Sequence, residues 1–307
     1  MQTILGSSGQ IGQELAKELY KSYTQDIRLV SRNPKKINEA DQLFKANLLD
    51  FDETNASIAG SEIVYFAVGL PMDSTIWEKQ FMVITKNVIE ECKRNHSKLV
   101  FFDNTYMYPK DEQVQLENSS FVPEGRKSTV RSDMAKLLMN EMDSGKLNAV
   151  ICRAPEFYGP SYTQSITNTL IFNNIKEGKI PKIPISDKTA RTLIWTPDAS
   201  RAMALIGNTP DSYGQTWHLP CEKPLTYQRM IELIQDTIGK QVNYKIIKMW
   251  KFKIASLFSK NARELQELLP RYKKDNIFSS DKFKNRFPDF EITSFEEVDL
   301  GQYFRHN

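Results

Sequence analysis

A doubly wound parallel α/β sheet with a smaller second lobe is the fold class this sequence predicts, and three observations predict it. The chain opens on a short apolar run that ends in a glycine-rich turn and then becomes helical. Short apolar runs alternate with helical patterns through the first half, as they do where parallel strands are joined by crossover helices. Beyond Arg153 the alternation breaks at Pro155, Pro160, Pro181 and Pro184, then resumes.

The first strand is Met1 to Leu5, and Gly6-Ser7-Ser8-Gly9-Gln10-Ile11-Gly12 follows it. A pyrophosphate needs backbone N–H groups at a helix N-terminus, and residues without side chains where the backbone bends or approaches the ligand. Gly6, Gly9 and Gly12 meet that need, with Ser8, Gln10 and Ile11 in the same turn. Ile11, Leu15 and Leu19 then mark one face of a helix that packs back onto the first strand.

The second strand, Ile27 to Val30, ends in Ser31-Arg32-Asn33-Pro34-Lys35-Lys36. An NAD-specific fold places a carboxylate there for the ribose 2′-hydroxyl, and this chain has none. A hydroxyl and a guanidinium suit a 2′-phosphate instead, and the lysines add positive field. The expected cofactor is therefore NADP(H) in preference to NAD(H), read by Ser31, Arg32 and Lys36.

Further strands are expected at Leu43 to Ala46, Ile63 to Val68, Leu99 to Phe102 and Ala149 to Cys152, with a helix over Trp77 to Lys93 and another opening at Asp198. The expected dinucleotide-binding domain is 1–155 plus about 190–210. A smaller substrate-binding lobe takes about 156–189 plus 211–307.

Of 307 residues 40% are hydrophobic and 26% charged, enough for a full core. No apolar run reaches membrane-spanning length. A cleavable leader is not expected, because the first residues already form a strand. Cys92, Cys152 and Cys221 are far apart, as are His96, His218 and His306; this fits a reducing cytoplasm and predicts no metal site. A net charge of +3 is too small to argue for nucleic acid.

The charge is uneven, with twelve basic against four acidic residues from Lys245 to Arg286. Among them Trp250, Ile254, Leu257, Phe258, Leu265 and Leu268 recur at helical spacing. These are expected to pack on the protein itself, which predicts no membrane partner and leaves the field to attract a small anionic substrate.

Together these marks resemble the short-chain dehydrogenase/reductase superfamily, in the extended and atypical branches that include nucleotide-sugar epimerases and dehydratases. Gly6, Gly9 and Gly12 fit the spacing GxxGxxG of those branches. Asn47-Leu48 stands where the family has an Asp-Leu pair beside the adenine, Ala67-Val68-Gly69 looks like its fourth-strand cofactor contact, and Asn87 falls at its helix asparagine. Arg153-Ala154-Pro155-Glu156-Phe157-Tyr158-Gly159-Pro160 is similar to RPxxxYGP, which implies Pro155 near the nicotinamide and Tyr158 toward the substrate. Arg191 opens a segment with the spacing of RDFxxVxD, and Arg271 stands at a second diphosphate arginine, although Lys273 and Lys274 replace the glycine and aspartate of RxGD. The resemblance implies a Rossmann fold, a diphosphate-bearing substrate such as a nucleotide sugar, and a monomer or homodimer.

The resemblance also shows what is missing. The superfamily uses a Ser or Thr with a Tyr and a Lys four residues apart on one helix, the lysine lowering the phenol pKa so that it exchanges a proton while hydride moves. No tyrosine occurs between Tyr108 and Tyr158. The best register puts Lys127 at the tyrosine position and Arg131 at the lysine position, where it could still hold a cofactor ribose. Asp103-Asn104-Thr105-Tyr106-Met107-Tyr108-Pro109 resembles SSxxVYG, with Asn104 at the hydroxyl position. Asn104, Thr105, Tyr106, Tyr108 and Lys127 are therefore the candidates for replacement chemistry. The function expected is an NADP(H)-binding epimerase, dehydratase or reductase acting by hydride transfer on a small anionic substrate; the alternative is a non-catalytic NADP(H)-binding sensor or regulatory protein.

Overall fold

In a computed structural model, residues 1–160, 163, 165–298 and 303–304 are described; His306 lies outside them. In chain order the elements begin β1 (Gln2–Leu5), α1 (Gln10–Ser22), β2 (Ile27–Ser31), β3 (Gln42–Lys45), α2 (Phe51–Ile58), β4 (Ile63–Phe66), α3 (Ser74–Arg94), β5 (Lys98–Asp103), α4 (Arg126–Asp143) and β6 (Ala149–Arg153). They continue with β7 (Glu156–Tyr158), a π turn (Asn168–Phe172), α5 (Asn173–Lys176), β8 (Lys182–Pro184), β9 (Ala190–Arg191), β10 (Leu193–Trp195) and α6 (Thr196–Gly207). Last come β11 (Thr216–His218), β12 (Leu225–Thr226), α7 (Tyr227–Ile238), β13 (Lys245–Ile247), α8 (Met249–Phe258), α9 (Lys260–Gln266) and α10 (Asp281–Arg286).

The chain forms two compact units. The first (1–107, 125–154 and 196–219) holds a seven-stranded sheet in the order β11-β6-β5-β4-β1-β2-β3, every neighbouring pair parallel. The order reverses between β1 and β4, the point beside which open α/β sheets bind ligands at their strand C-termini. Central β1, β4 and β6 are buried along their whole length, whereas edge strand β3 exposes most of its residues. Asp50 and Asp73 cap α2 and α3 by accepting backbone N–H bonds. Helix α3 buries Trp77, Phe81, Ile84, Val88 and Cys92, the stripe its sequence predicts.

The second unit (108–124, 155–195 and 220–307) is built from two-stranded pairs, β7 with β10, β9 with β12 and β8 with β13, around an aromatic core. The expected boundaries need correction in three places. Residues 211–219 join the first unit because β11 adds to β6, burying Trp217 and His218. Residues 108–124 join the second, because Gln115 pairs with Phe278 through backbone bonds to Ile277 and Ser279. Residues 190–195 join it as β9 and β10. The helix expected to open at Asp198 starts at Thr196, with Asp198 inside its first turn and 2.9 Å from Arg201.

Candidate cofactor site and catalytic positions

In the first unit Gly6 has φ +86°, and a Cβ there would stand 2.7 Å from the Ala67 carbonyl oxygen. A Cβ on Gly12 would meet the Gly6 oxygen and the Ser7 Cα at 2.8 Å each, and one on Gly9 would approach the Gly6 oxygen at 3.3 Å. Gly6 and Gly12 admit only hydrogen without backbone movement and Gly9 is tightly approached, so β1, β4 and the start of α1 close on one another. Gly9 is the N-cap of α1 and offers no capping side chain, and the first turn carries no acidic residue. Such a helix start suits a phosphate pair, and the cradle fits the dinucleotide that the sequence implies. Gln10 donates to Thr196 Oγ1 at 2.8 Å and the Ile11 carbonyl accepts from Ser200, fixing α1 against α6.

Ser8 and Ser31 share a hydrogen bond of 2.8 Å, so the glycine turn and the end of β2 are joined. Arg32 beside them is exposed, while Lys36 donates to the Glu39 carbonyl at 2.7 Å. Asn87 of α3 spends its amide on the carbonyls of Leu48 at 3.0 Å and Leu49 at 3.3 Å. The Asn47 N–H donates to Glu53 at 2.6 Å. Asn47, Leu48 and Asn87 thus form one connected cluster. Ala67 is buried at the end of β4, Val68 half-buried and Gly69 exposed.

At the C-terminal ends of β5 and β6 the sequence reading missed a group. Asp103 and Arg153 are register partners, and Arg153 Nε donates to Asp103 Oδ2 at 3.0 Å. Arg131 donates to Asp103 Oδ1 through Nε at 3.1 Å and Nη2 at 2.5 Å, and to the Phe102 carbonyl at 3.1 Å. Its guanidinium also lies over the Phe81 and Phe101 rings. One buried carboxylate therefore sits between two buried guanidiniums, and the available signal was an acid and a base ending adjacent predicted strands.

The positions of the missing catalytic pair are occupied by committed groups. Lys127 is fully buried and donates to Ser74 Oγ at 2.9 Å. Arg131 is held by Asp103, as above. Asn104 Oδ1 accepts from the Tyr106 N–H at 3.0 Å in a tight turn, Thr105 is buried, and the Tyr106 ring stacks on Trp77 at 6.0 Å. Ser128 donates to the Tyr106 carbonyl, tying this turn to α4. Tyr108 belongs to the second unit, buried against Phe121. Burial pushes the thiols of Cys92 and Cys152 up, which keeps them as unreactive thiols.

Within the second unit the expected substrate residues are core residues. Arg191 is buried, donates to Glu156 Oε2 at 3.3 Å and to the Arg271 carbonyl at 3.1 Å, and lies 3.9 Å from the Tyr272 ring centre. Glu156 also accepts from Tyr272 at 2.8 Å and from the Thr167 hydroxyl at 2.8 Å, with Tyr227 on the far side of Thr167. Burial and this carboxylate push both phenols up, so they stay protonated. Arg271 is itself buried, Pro155 is buried, and Tyr158 packs among Phe172, Trp195 and Phe295. A shallow cleft of about 520 Å³ elsewhere on this unit is lined by Lys110, Lys273 and Lys274.

A parallel sheet with this strand order, a glycine cradle at its switch point and a helix N-terminus facing it define a Rossmann fold of short-chain dehydrogenase type. Residues 3–219 match the NAD dependent epimerase/dehydratase family, and the chain belongs to it. It is 22% identical to Prestalk A differentiation protein A of Dictyostelium discoideum over 96% of this chain and 89% of that protein. Among solved structures it is similar to UDP-glucuronic acid 4-epimerase from Bacillus cereus in complex with UDP-glucuronic acid and NAD, with TM-score 0.80, 16% identity and coverage of 99% and 98% of the two chains. It is also similar to the UDP-glucose 4-epimerase of Thermus thermophilus in complex with NAD, with TM-score 0.77, 14% identity and coverage of 99% of each chain.

Proposed function

We propose that this chain binds NADP(H) and acts as a non-catalytic sensor of that cofactor, signalling through a macromolecular partner. The observation that carries the reading is the state of α4. Where the superfamily keeps a tyrosine and a lysine to exchange a proton, this helix has Lys127, fully buried on Ser74, and Arg131, paired with Asp103. A guanidinium does not readily give up its proton. The glycine cradle would hold the pyrophosphate, and Ser31, Arg32 and Lys36 would read the 2′-phosphate. The cofactor, when bound, supplies a nicotinamide capable of hydride chemistry. Arg191, which favoured an anionic substrate in the sequence, is spent on Glu156. The curated relative is named for differentiation and not for a reaction.

A second reading, hydride transfer on a small anionic substrate such as a nucleotide sugar, is favoured by one observation. Asn104 and Tyr106 are only half-buried at the end of β5, where a replacement acid or base would be wanted. Calorimetric titration with NADPH and NADH, followed by incubation of the bound form with nucleotide sugars, aldehydes and ketones, separates the readings. The sensor reading expects tighter NADPH binding and no change in nicotinamide absorbance. Turnover of any of these compounds would replace it with the enzyme, and tighter NADH binding would sink the cofactor assignment.

A further inference from the structure

Helix α8, in the second unit, turns four large apolar side chains to solvent. Trp250 is 58% exposed, Ile254 50%, Leu257 71% and Phe258 85%. Their spacing of i, i+4, i+7 and i+8 is one face of an α-helix. The opposite face is already used, since Phe252 and Ser256 are buried. The expectation that the apolar positions of 250–268 pack on the protein itself is corrected for these four. It describes only Leu268, which is buried, and Leu265, which packs partly buried against the aromatic core.

Lysines frame the exposed face. At about 100° of turn per residue, Lys251 and Lys253 project from its two edges, and exposed Lys248 and Lys260 stand beyond its two ends. Lys251 Nζ lies 5.6 Å from the Trp250 ring centre. No acidic residue occurs anywhere from Asn243 to Arg263. The strip is apolar along its middle and positive on every side.

We propose that α8 docks the protein onto an anionic lipid surface. The helix lies in the interface plane, with Trp250, Ile254, Leu257 and Phe258 dipped to the boundary of headgroups and acyl chains and the lysines on lipid phosphates. Charge complementarity selects this occupant. A second copy meeting the same face about a two-fold axis would bring lysines against lysines. A plane of anionic headgroups supplies negative charge to both edges and both ends at once. Among the described residues no helix is long and apolar enough to cross a membrane, so the association is peripheral. It does not depend on the cofactor reading.

The test uses the full chain and vesicles of phosphatidylcholine alone or with phosphatidylserine. Sedimentation with the anionic vesicles only, weakened by salt, is expected. Trp77 and Trp217 are buried and Trp195 is half-buried, so a blue shift of tryptophan emission on binding reports on Trp250. Leu257→Glu with Phe258→Glu should abolish sedimentation and the shift while leaving the thermal midpoint unchanged, because both positions are exposed. Lys251→Gln and Lys253→Gln should each weaken binding about fivefold. Failure to bind anionic vesicles, with or without a dimer that Phe258→Glu dissociates, overturns the proposal; so does equal binding to neutral vesicles.

Discussion

Gly6 combines a positive φ with a neighbouring carbonyl that leaves no room for a Cβ. Gly6→Ala should cost about 1–2 kcal/mol of stability from the backbone conformation alone. Movement of the cradle should weaken NADPH binding at least about tenfold, the equivalent of ~1.4 kcal/mol; calorimetry and denaturant titration would read the two effects. Arg32 is exposed and its removal costs no packing. Arg32→Gln should remove a charge-assisted bond worth roughly 1.5–3 kcal/mol to NADPH while leaving NADH affinity unchanged, and equal losses for both cofactors would refute the 2′-phosphate contact. Glu91 on α3 shows a pH effect of definite sign. Its carboxylate is buried with no hydrogen bond among the described residues and only Arg94 at 3.3 Å, and burial raises its pKa. A raised carboxylate pKa means that the folded state holds the proton more tightly, so stability is lost as pH rises through the window above the ordinary value. Glu91→Gln should therefore be more stable than the wild type at pH 7, with the difference closing as pH falls toward 4 in thermal melts.

At the scale of elements, the legible parts were those whose residues repeat with the period of their structure. Strands β1, β2, β4, β5 and β6 and helix α3 bury runs or stripes that sequence periodicity predicts. Helix α4 was harder to read because its buried face carries Lys127, Ser128, Arg131 and Ser132. Polar burial of that kind is compensated by partners distant in sequence, such as Ser74 for Lys127 and Asp103 for Arg131, and no local pattern announces them. The same reason hid Asp103. Its carboxylate pairs with Arg131 and Arg153 together, and breaking a buried ion pair from one side costs about 3–5 kcal/mol. Asp103→Asn should lower unfolding free energy by that order, measured in denaturant, and should loosen the C-terminal ends of β5 and β6. A near-neutral result would show that the two arginines are not held by this carboxylate.

For the whole molecule, the family match ends at Leu219, where the last segment of the first unit also ends. The second unit is where sequence reasoning carried least, because the residues to which motif spacing gives ligand roles are buried and bonded to partners that the spacing does not announce. Arg191 kept the spacing of a diphosphate arginine, yet Glu156 lies 3.3 Å away, inside the segment that looked like a substrate loop. No alignment of spacing could reveal that two motifs neutralise each other across 35 residues of chain. The two roles make opposite demands on Glu156. If it holds the core, Glu156→Gln leaves Arg191 buried without its charge partner and should cost about 3–5 kcal/mol, with NADPH and NADH affinities keeping their wild-type ratio, since Ser31 and Arg32 are untouched. If Glu156 instead restrains Arg191 for release to an anionic ligand, the variant should stay near wild-type stability and gain affinity for UDP or a UDP-sugar. Denaturant unfolding beside calorimetric titration with UDP decides between them. The first outcome is expected, because Glu156 is bonded at once to Thr167, Arg191 and Tyr272, and those three, with Tyr227 behind Thr167, are buried.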